Sequence, residues 1–163
     1  MRYWLFKSEP DAYSVDDLAE DGTAGWDGVR NYQARNLLRD EIRPGDLVLF
    51  YHSNAKPPGV VGVAEVVRGG HPDPTQFDPA SPGYDPKSRP EAPRWYQVEI
   101  AFRARLPQMV TLQQIKEDPE LREMMVARRG VRLSVQPVER AHFERVLQLG
   151  GLSPESLGGG TGR

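Results

Sequence analysis

No cysteine occurs among the 163 residues. Disulfides, thiol catalysis and Cys-ligated zinc are therefore excluded. No apolar run approaches the roughly 20 residues that a membrane span requires, so no membrane partner is expected. The opening Met1-Arg2-Tyr3-Trp4-Leu5-Phe6-Lys7 turns polar too quickly for a signal peptide, and a cytoplasmic location is the default expectation. Histidine is confined to His52, His71 and His142. None has a carboxylate or a second His at the i, i+4 spacing that suits one metal ion, so neither metal nor cofactor is expected. The glycines form no phosphate loop, because Gly59, Gly62, Gly69 and Gly70 lack the motif and its following helix. No internal repeat and no second-domain signal is present.

What remains is a chain of 38% apolar and 27% charged residues, which suits one soluble domain with its own core. The net charge of −2 is unevenly spread. Glu9, Asp11, Asp16, Asp17, Glu20 and Asp21 fall in a segment without Lys or Arg, which leaves the rest of the chain net positive. Arginine clusters at Arg30, Arg35, Arg39 and Arg43, and again at Arg128, Arg129, Arg132 and Arg140. Guanidinium suits planar, bidentate recognition of phosphates and base edges. An Arg-rich composition also follows from a GC-rich genome, so the clusters alone decide nothing.

The densest chemistry lies in Trp26-Asp27-Gly28-Val29-Arg30-Asn31-Tyr32-Gln33-Ala34-Arg35-Asn36. Aromatics offer stacking faces, while Asn and Arg offer directional hydrogen bonds to planar heterocycles and phosphates. The stretch points to a binding pocket more than to a catalytic centre. A plain helix start beside one core Trp is the competing reading.

Turn and cap signals divide the chain. Tyr3 to Lys7 reads as a strand. Ser14-Val15-Asp16-Asp17 is a capping box that opens a short helix to about Glu20. Asn31 caps a helix from Tyr32 to about Arg39. Asp46–Tyr51 and Gly59–Arg68 read as neighbouring strands. Seven prolines between residues 70 and 94 remove backbone donors, so this stretch is a loop, and Asp85-Pro86-Lys87-Ser88 is expected to sit over a site. Arg94 to Arg105 alternates as a strand with one apolar face. Thr111-Leu112-Gln113-Gln114 opens a helix to about Glu117, Asp118-Pro119 a second to about Ala127, and Pro137 a third to Leu149. Residues 151–163 read as a flexible tail. The sum is an α+β fold of one domain over 1–150, with a mostly antiparallel and closed sheet.

Small polar and aromatic groups recur at the strand ends: Lys7-Ser8, Tyr51-His52-Ser53, Trp95, and Arg132-Leu133-Ser134-Val135-Gln136-Pro137. Each alone is an ordinary turn, cap or core residue; together with Trp26 to Asn36 they suggest one shared pocket. His52 beside Ser53 suggests a nucleophile pair, and with it a small-molecule hydrolase or transferase as the alternative function. Adjacent strand residues point to opposite faces, however, and no orienting acid is evident.

The order of these motifs, with Tyr3-Trp4-Leu5-Phe6-Lys7-Ser8-Glu9-Pro10 first, Gly59-Val60-Val61-Gly62 in the middle and Arg132-Leu133-Ser134-Val135-Gln136-Pro137-Val138 last, resembles an EVE domain over residues 2 to 149. The resemblance implies a PUA-like fold, a mostly antiparallel β-barrel flanked by helices, related to the YTH readers of methylated adenine. It implies a non-catalytic reader of modified bases in DNA or RNA; a monomer is the expected state. Carried onto this chain, Trp26 and Trp95 become stacking or cage walls. Asn31, Ser53, Ser134 and the backbone around Leu133 and Val135 face the base edge, with Ser8 beside them. Arg30, His52, Arg132 and Lys7 contact the edge or a phosphate. The acidic 9–21 segment is expected to lie away from the binding face.

Overall fold

The computed structural model describes residues 1–161, with side chains described through Leu157. Six strands form one sheet in the order β2-β5-β4-β3-β1-β6. Strand β1 spans Tyr3–Ser8, β2 Thr23–Gly25, β3 Leu47–His52, β4 Gly59–Pro72, β5 Tyr96–Thr111 and β6 Val135–Val138. The sheet is mixed, because β1 runs parallel to β3 while the other pairs are antiparallel. It is also open: β2 and β6 are its two edges and do not pair among the described residues. The expected closed barrel is corrected on that point, and the α+β, PUA-like class stands.

Both faces of the sheet are covered, and the sequence shows why. Residues alternate between faces along a strand. Trp4 and Phe6 of β1, with Val48 and Phe50 of β3, pack into one core. Leu5, Leu49 and Tyr51 pack into a second core. Consecutive apolar residues in Trp4-Leu5-Phe6 and Val48-Leu49-Phe50-Tyr51 are what a strand buried on both faces requires. Helix α2 (Tyr32–Asp40) supplies Ala34 and Leu38 to the first core. Helix α4 (Arg140–Gly150) supplies Phe143, Val146 and Leu147 to the second.

Local caps form as the sequence predicts. Ser14 and Asp17 exchange both capping-box bonds at the start of α1 (Val15–Asp21). The Asn31 Oδ1 accepts the Ala34 amide at 3.0 Å at the start of α2. Thr111 and Gln114 form the box of α3 (Leu112–Glu117).

Three expectations change. Pro137 does not open the last helix; it lies in edge strand β6 opposite Trp4, where a missing N–H costs no ladder bond. Asp118 does not start an α-helix to Ala127. Its carbonyl accepts the Leu121 and Arg122 amides, closing one turn, and only a 3-10 turn at Met125–Ala127 follows. The tail contains a helix, α5 (Pro154–Thr161), and Leu157 is buried against the second core. Residues 162–163, the end of the expected tail, lie outside the described residues.

Candidate functional site

A cavity of about 550 Å³ opens between the end of β1, the segment from Ala24 to Asn31, and Ser134. Its lining includes Lys7, Ser8, Tyr13, Trp26, Asp27, Arg30, Asn31 and Ser134. The local chain explains this convergence. The Lys7 amide donates to the Ser134 carbonyl at 2.8 Å, which draws the start of β6 to the end of β1. The Trp26 amide donates to the Val98 carbonyl at 2.8 Å, continuing the pairing of β2 with β5. Gly28, at φ +79°, then turns the chain toward α2, a conformation that a side chain disfavours.

Trp26 anchors the aromatic side of the cavity. Its ring lies 5.3 Å from Phe6 and 5.5 Å edge-on to Phe50. Tyr13 approaches edge-on at 6.5 Å. Only 8% of Trp26 is exposed, so its core-packed ring offers no open face and is not the stacking wall expected from the sequence; among the described residues its indole Nε1 has no protein acceptor yet is not buried. The open part of this side chain therefore includes its N–H.

Polar groups without protein partners gather opposite. The half-buried Lys7 ammonium has no ion pair among the described residues, and burial lowers its pKa. It lies 5.9 Å from the ring centroid of Tyr51, a second-core residue, whereas Trp26 belongs to the first core, so Lys7 borders the cavity without its ammonium being placed against Trp26. Asn31 spends its Oδ1 on the helix cap and keeps its amide N–H2 free. Ser134 Oγ is likewise uncommitted among the described residues. Ser8 is not free, because its hydroxyl donates to the Tyr13 carbonyl at 2.6 Å and holds the facing loop. Asp27 was present in the motif but not singled out from the sequence. Its carboxylate accepts no hydrogen bond, and its pKa is raised by burial, then by Asp73, with Arg30 opposing.

Arg30 lines the cavity but spends its guanidinium elsewhere. Nη1 donates to the Asp73 carboxylate and the Val29 carbonyl, each at 3.0 Å. Nη2 donates to Thr75 Oγ1 at 3.0 Å and to the Gly83 carbonyl at 2.6 Å, and Nε reaches the same carbonyl at 3.1 Å. All five donors of the group are thereby used. The buried Asp73 carboxylate also accepts the Gly28 amide at 2.8 Å. Burial works against its charge, but hydrogen bonds from Thr75, Gly28 and Arg30 outweigh that and lower its pKa. Arg30 is thus a clamp between the Trp26 segment and the Pro-rich loop rather than a free phosphate contact.

Trp95 serves the same clamp from outside the cavity. Arg30 lies over its ring at 5.3 Å, and Tyr32 stacks on it at 4.8 Å. Its Nε1 donates to Asp85 at 2.7 Å. The Pro-rich loop is pinned to this side through the buried Gln76. The Gln76 amide donates to the Asp73 and Trp95 carbonyls and its Oε1 accepts from Ser88 and Trp95. The Asp85–Ser88 segment therefore holds Trp95 and does not line the cavity, contrary to the sequence expectation.

The remaining candidates lie outside the cavity. His52 Nε2 accepts the Val15 amide at 3.1 Å and caps α1. Burial lowers the His52 pKa, with Asp16 opposing. The lone pair a general base would use is thus committed, and no hydrogen bond joins Ser53 to His52 among the described residues. Ser53 meets the site only through its amide, which donates to the Ser8 carbonyl at 3.0 Å. Leu133 and Val135 are buried in the first core, and the exposed Arg132 stands two residues from Ser134. The acidic segment does not stand clear. Ala12 and Tyr13 form part of the wall, although none of its six carboxylates lines it. Among the described residues there is no metal-ligating cluster, and no helix long and apolar enough to cross a membrane.

This architecture recurs in known proteins. Mouse thymocyte nuclear protein 1 is 39% identical over 166 residues, spanning 90% of this chain and 73% of its own length. Human THYN1 protein, solved in complex with 5-methylcytosine-containing DNA, superposes with a TM-score of 0.86 at 36% identity, covering 94% of this chain and all of that one. The YTH domain of Zygosaccharomyces rouxii MRB1, solved with N6-methyladenosine RNA, shares the fold alone, at a TM-score of 0.52 and 15% identity over 91% of this chain and 86% of that one. The family model for the EVE domain matches residues 2–149, and the chain belongs to that family.

Proposed function

We propose that this protein is a binding module that reads a modified base in DNA or RNA. The base leaves its stack and enters the cavity beside Trp26, and no reaction is carried out on it. The observation that carries the reading is one cavity of about 550 Å³ whose lining joins the indole N–H edge of Trp26 to polar groups on Asn31 and Ser134 that have no partner among the described residues. That volume admits a single base. The human relative solved with 5-methylcytosine-containing DNA supports the same class of ligand.

The energetics are consistent with reading rather than catalysis. Extruding a base costs a few kcal/mol. Each edge hydrogen bond returns about 1 kcal/mol, and burial of the base against the cavity wall adds about 25 cal/mol per Å² of apolar surface. A methyl group is then distinguished by a fitted apolar wall, at about 1–3 kcal/mol. The reading is non-catalytic because the only His beside a Ser has its Nε2 committed to a helix cap.

The test is a titration followed by Trp fluorescence. Matched DNA and RNA oligonucleotides carry unmodified, 5-methyl- or 5-hydroxymethylcytosine, or N6-methyladenine, at one position. Tighter binding to one modified member is the expected result and names the ligand. Equal affinity for all members leaves only backbone association and overturns the reading. A salt titration separates the two contributions, since each neutralised phosphate adds about −0.9 to the slope of log K against log salt on duplex DNA.

A further inference from the structure

Asp27 is the one carboxylate in the lining of the cavity, and it has no hydrogen-bond partner among the described residues. Arg30, the cation that opposes the rise in its pKa, cannot serve it. Each N–H of Arg30 already goes to Asp73, Thr75, Gly83 or Val29. The Gly28 amide, next in the chain, goes to Asp73 as well. Asp27 therefore keeps its acceptor capacity for whatever enters. Asp27 is an exposed residue of this lining, and partial desolvation, then the neighbouring Asp73 charge, raise its pKa while Arg30 opposes them. The other lining groups without partners among the described residues, on Asn31 and Trp26, are donors, and Ser134 can donate.

We infer that Asp27 selects the ligand, accepting a hydrogen bond from the exocyclic amine of a cytosine- or adenine-type base. The inference rests on the base-reading function proposed above and names the ligand group that this function grips. On a neutral cytosine or adenine the exocyclic amine is the only donor of the pairing edge, and the ring nitrogen beside it is an acceptor. Such an edge matches one carboxylate among several donors. Thymine offers only a ring N–H flanked by two carbonyl oxygens. A carboxylate that reaches that N–H must lie against both oxygens, and like partial charges oppose it.

5-Methylcytosine and thymine carry the same methyl group and differ at the amine. They are therefore the probes, each placed once in an otherwise identical single-stranded oligonucleotide. The wild-type protein is expected to favour 5-methylcytosine by roughly tenfold or more. Asp27→Ala lowers affinity for 5-methylcytosine by a similar factor and leaves thymine within about threefold. Asp27→Asn restores part of the loss, because its amide oxygen can accept the same bond. The Asp27 side chain makes no contact that the fold needs, so thermal unfolding midpoints of both variants should match the parent. Equal wild-type affinity for thymine, 5-methylcytosine and N6-methyladenine at that position overturns the inference and leaves base reading in place. So does an equal loss for thymine and 5-methylcytosine in Asp27→Ala, or no loss for either. Absence of binding to every oligonucleotide removes the base-reading function, and this inference with it.

Discussion

His52 Nε2 accepts the Val15 amide at 3.1 Å, so an imidazole at the end of β3 caps the first turn of α1. The bond needs a neutral ring, and burial already lowers the His52 pKa. The unfolded chain then binds a proton more readily than the folded one between the lowered pKa and the ordinary value near 6.5. Stability should be full above that ordinary value and decline as pH falls below it, levelling off beneath the folded pKa. Thermal midpoints between pH 4.5 and 7.5 measure this (pH settings roughly bracketing the ordinary value). In His52→Gln the component of the decline due to this residue should vanish, and an unchanged pH profile would contradict the cap.

Arg30 and Asp73 should behave as one unit. The Asp73 side chain is fully buried and that of Arg30 is 25% exposed. Removing the guanidinium leaves a buried carboxylate with fewer donors. Arg30→Ala should therefore cost about 3 kcal/mol in urea unfolding. Asp73 carries a lowered pKa, so its contribution should persist above the unfolded carboxylate range and disappear as acid protonates it. A cost below about 1 kcal/mol for Arg30→Ala would show that the clamp does not hold the loop.

Gly83 carries a prediction of steric kind. A Cβ there would stand 2.6 Å from Thr75 Oγ1 and 2.7 Å from Arg30 Nη2. Gly83→Ala should displace both groups and destabilise by about 1–3 kcal/mol. Chemical denaturation of the variant reads this directly, and a neutral result would mean that the loop shifts freely around Arg30.

Trp26 needs a conservative substitution. Its ring belongs to the first core, so Trp26→Ala should cost about 3–5 kcal/mol in addition to any lost ligand. Trp26→Phe keeps most of the apolar contact and removes the indole N–H. Binding of the preferred oligonucleotide should fall while the unfolding midpoint moves little. Undiminished binding by Trp26→Phe would place the ligand away from this edge.

The sequence spoke clearly where structure is local. The Ser14, Asn31 and Thr111 caps need only residues three positions away, and each forms. The runs Trp4-Leu5-Phe6 and Val48-Leu49-Phe50-Tyr51 revealed strands because burial on both faces leaves a continuous apolar trace. The failures are non-local. Pro137 looks like a helix start until its pairing with Trp4 is known. Arg30 looks like a phosphate ligand until Asp73 and Gly83, 43 and 53 residues onward, take its donors. Trp95 looks like a cage wall until Arg30 and Tyr32 cover its ring. Trp26, Asn31, Lys7, Ser8 and Ser134 could be named together from the sequence because each stands at a strand end or a helix start, and all five belong to the lining of one cavity. Asp27 went unnoticed since nothing in the sequence separates a free carboxylate from a paired one.

The parallel pairing of β1 with β3 has a consequence for biosynthesis. Strand β1 leaves the ribosome before the other five and lies between β3 and β6, and its pairing with β6 joins residues as far apart as Tyr3 and Val138. Sheet completion must therefore await synthesis through Val138, and loop closure over such separations slows folding. Until then β1 exposes an apolar edge, Trp4-Leu5-Phe6, to other nascent chains. A cell making this protein thus has reason to keep β1 covered during translation.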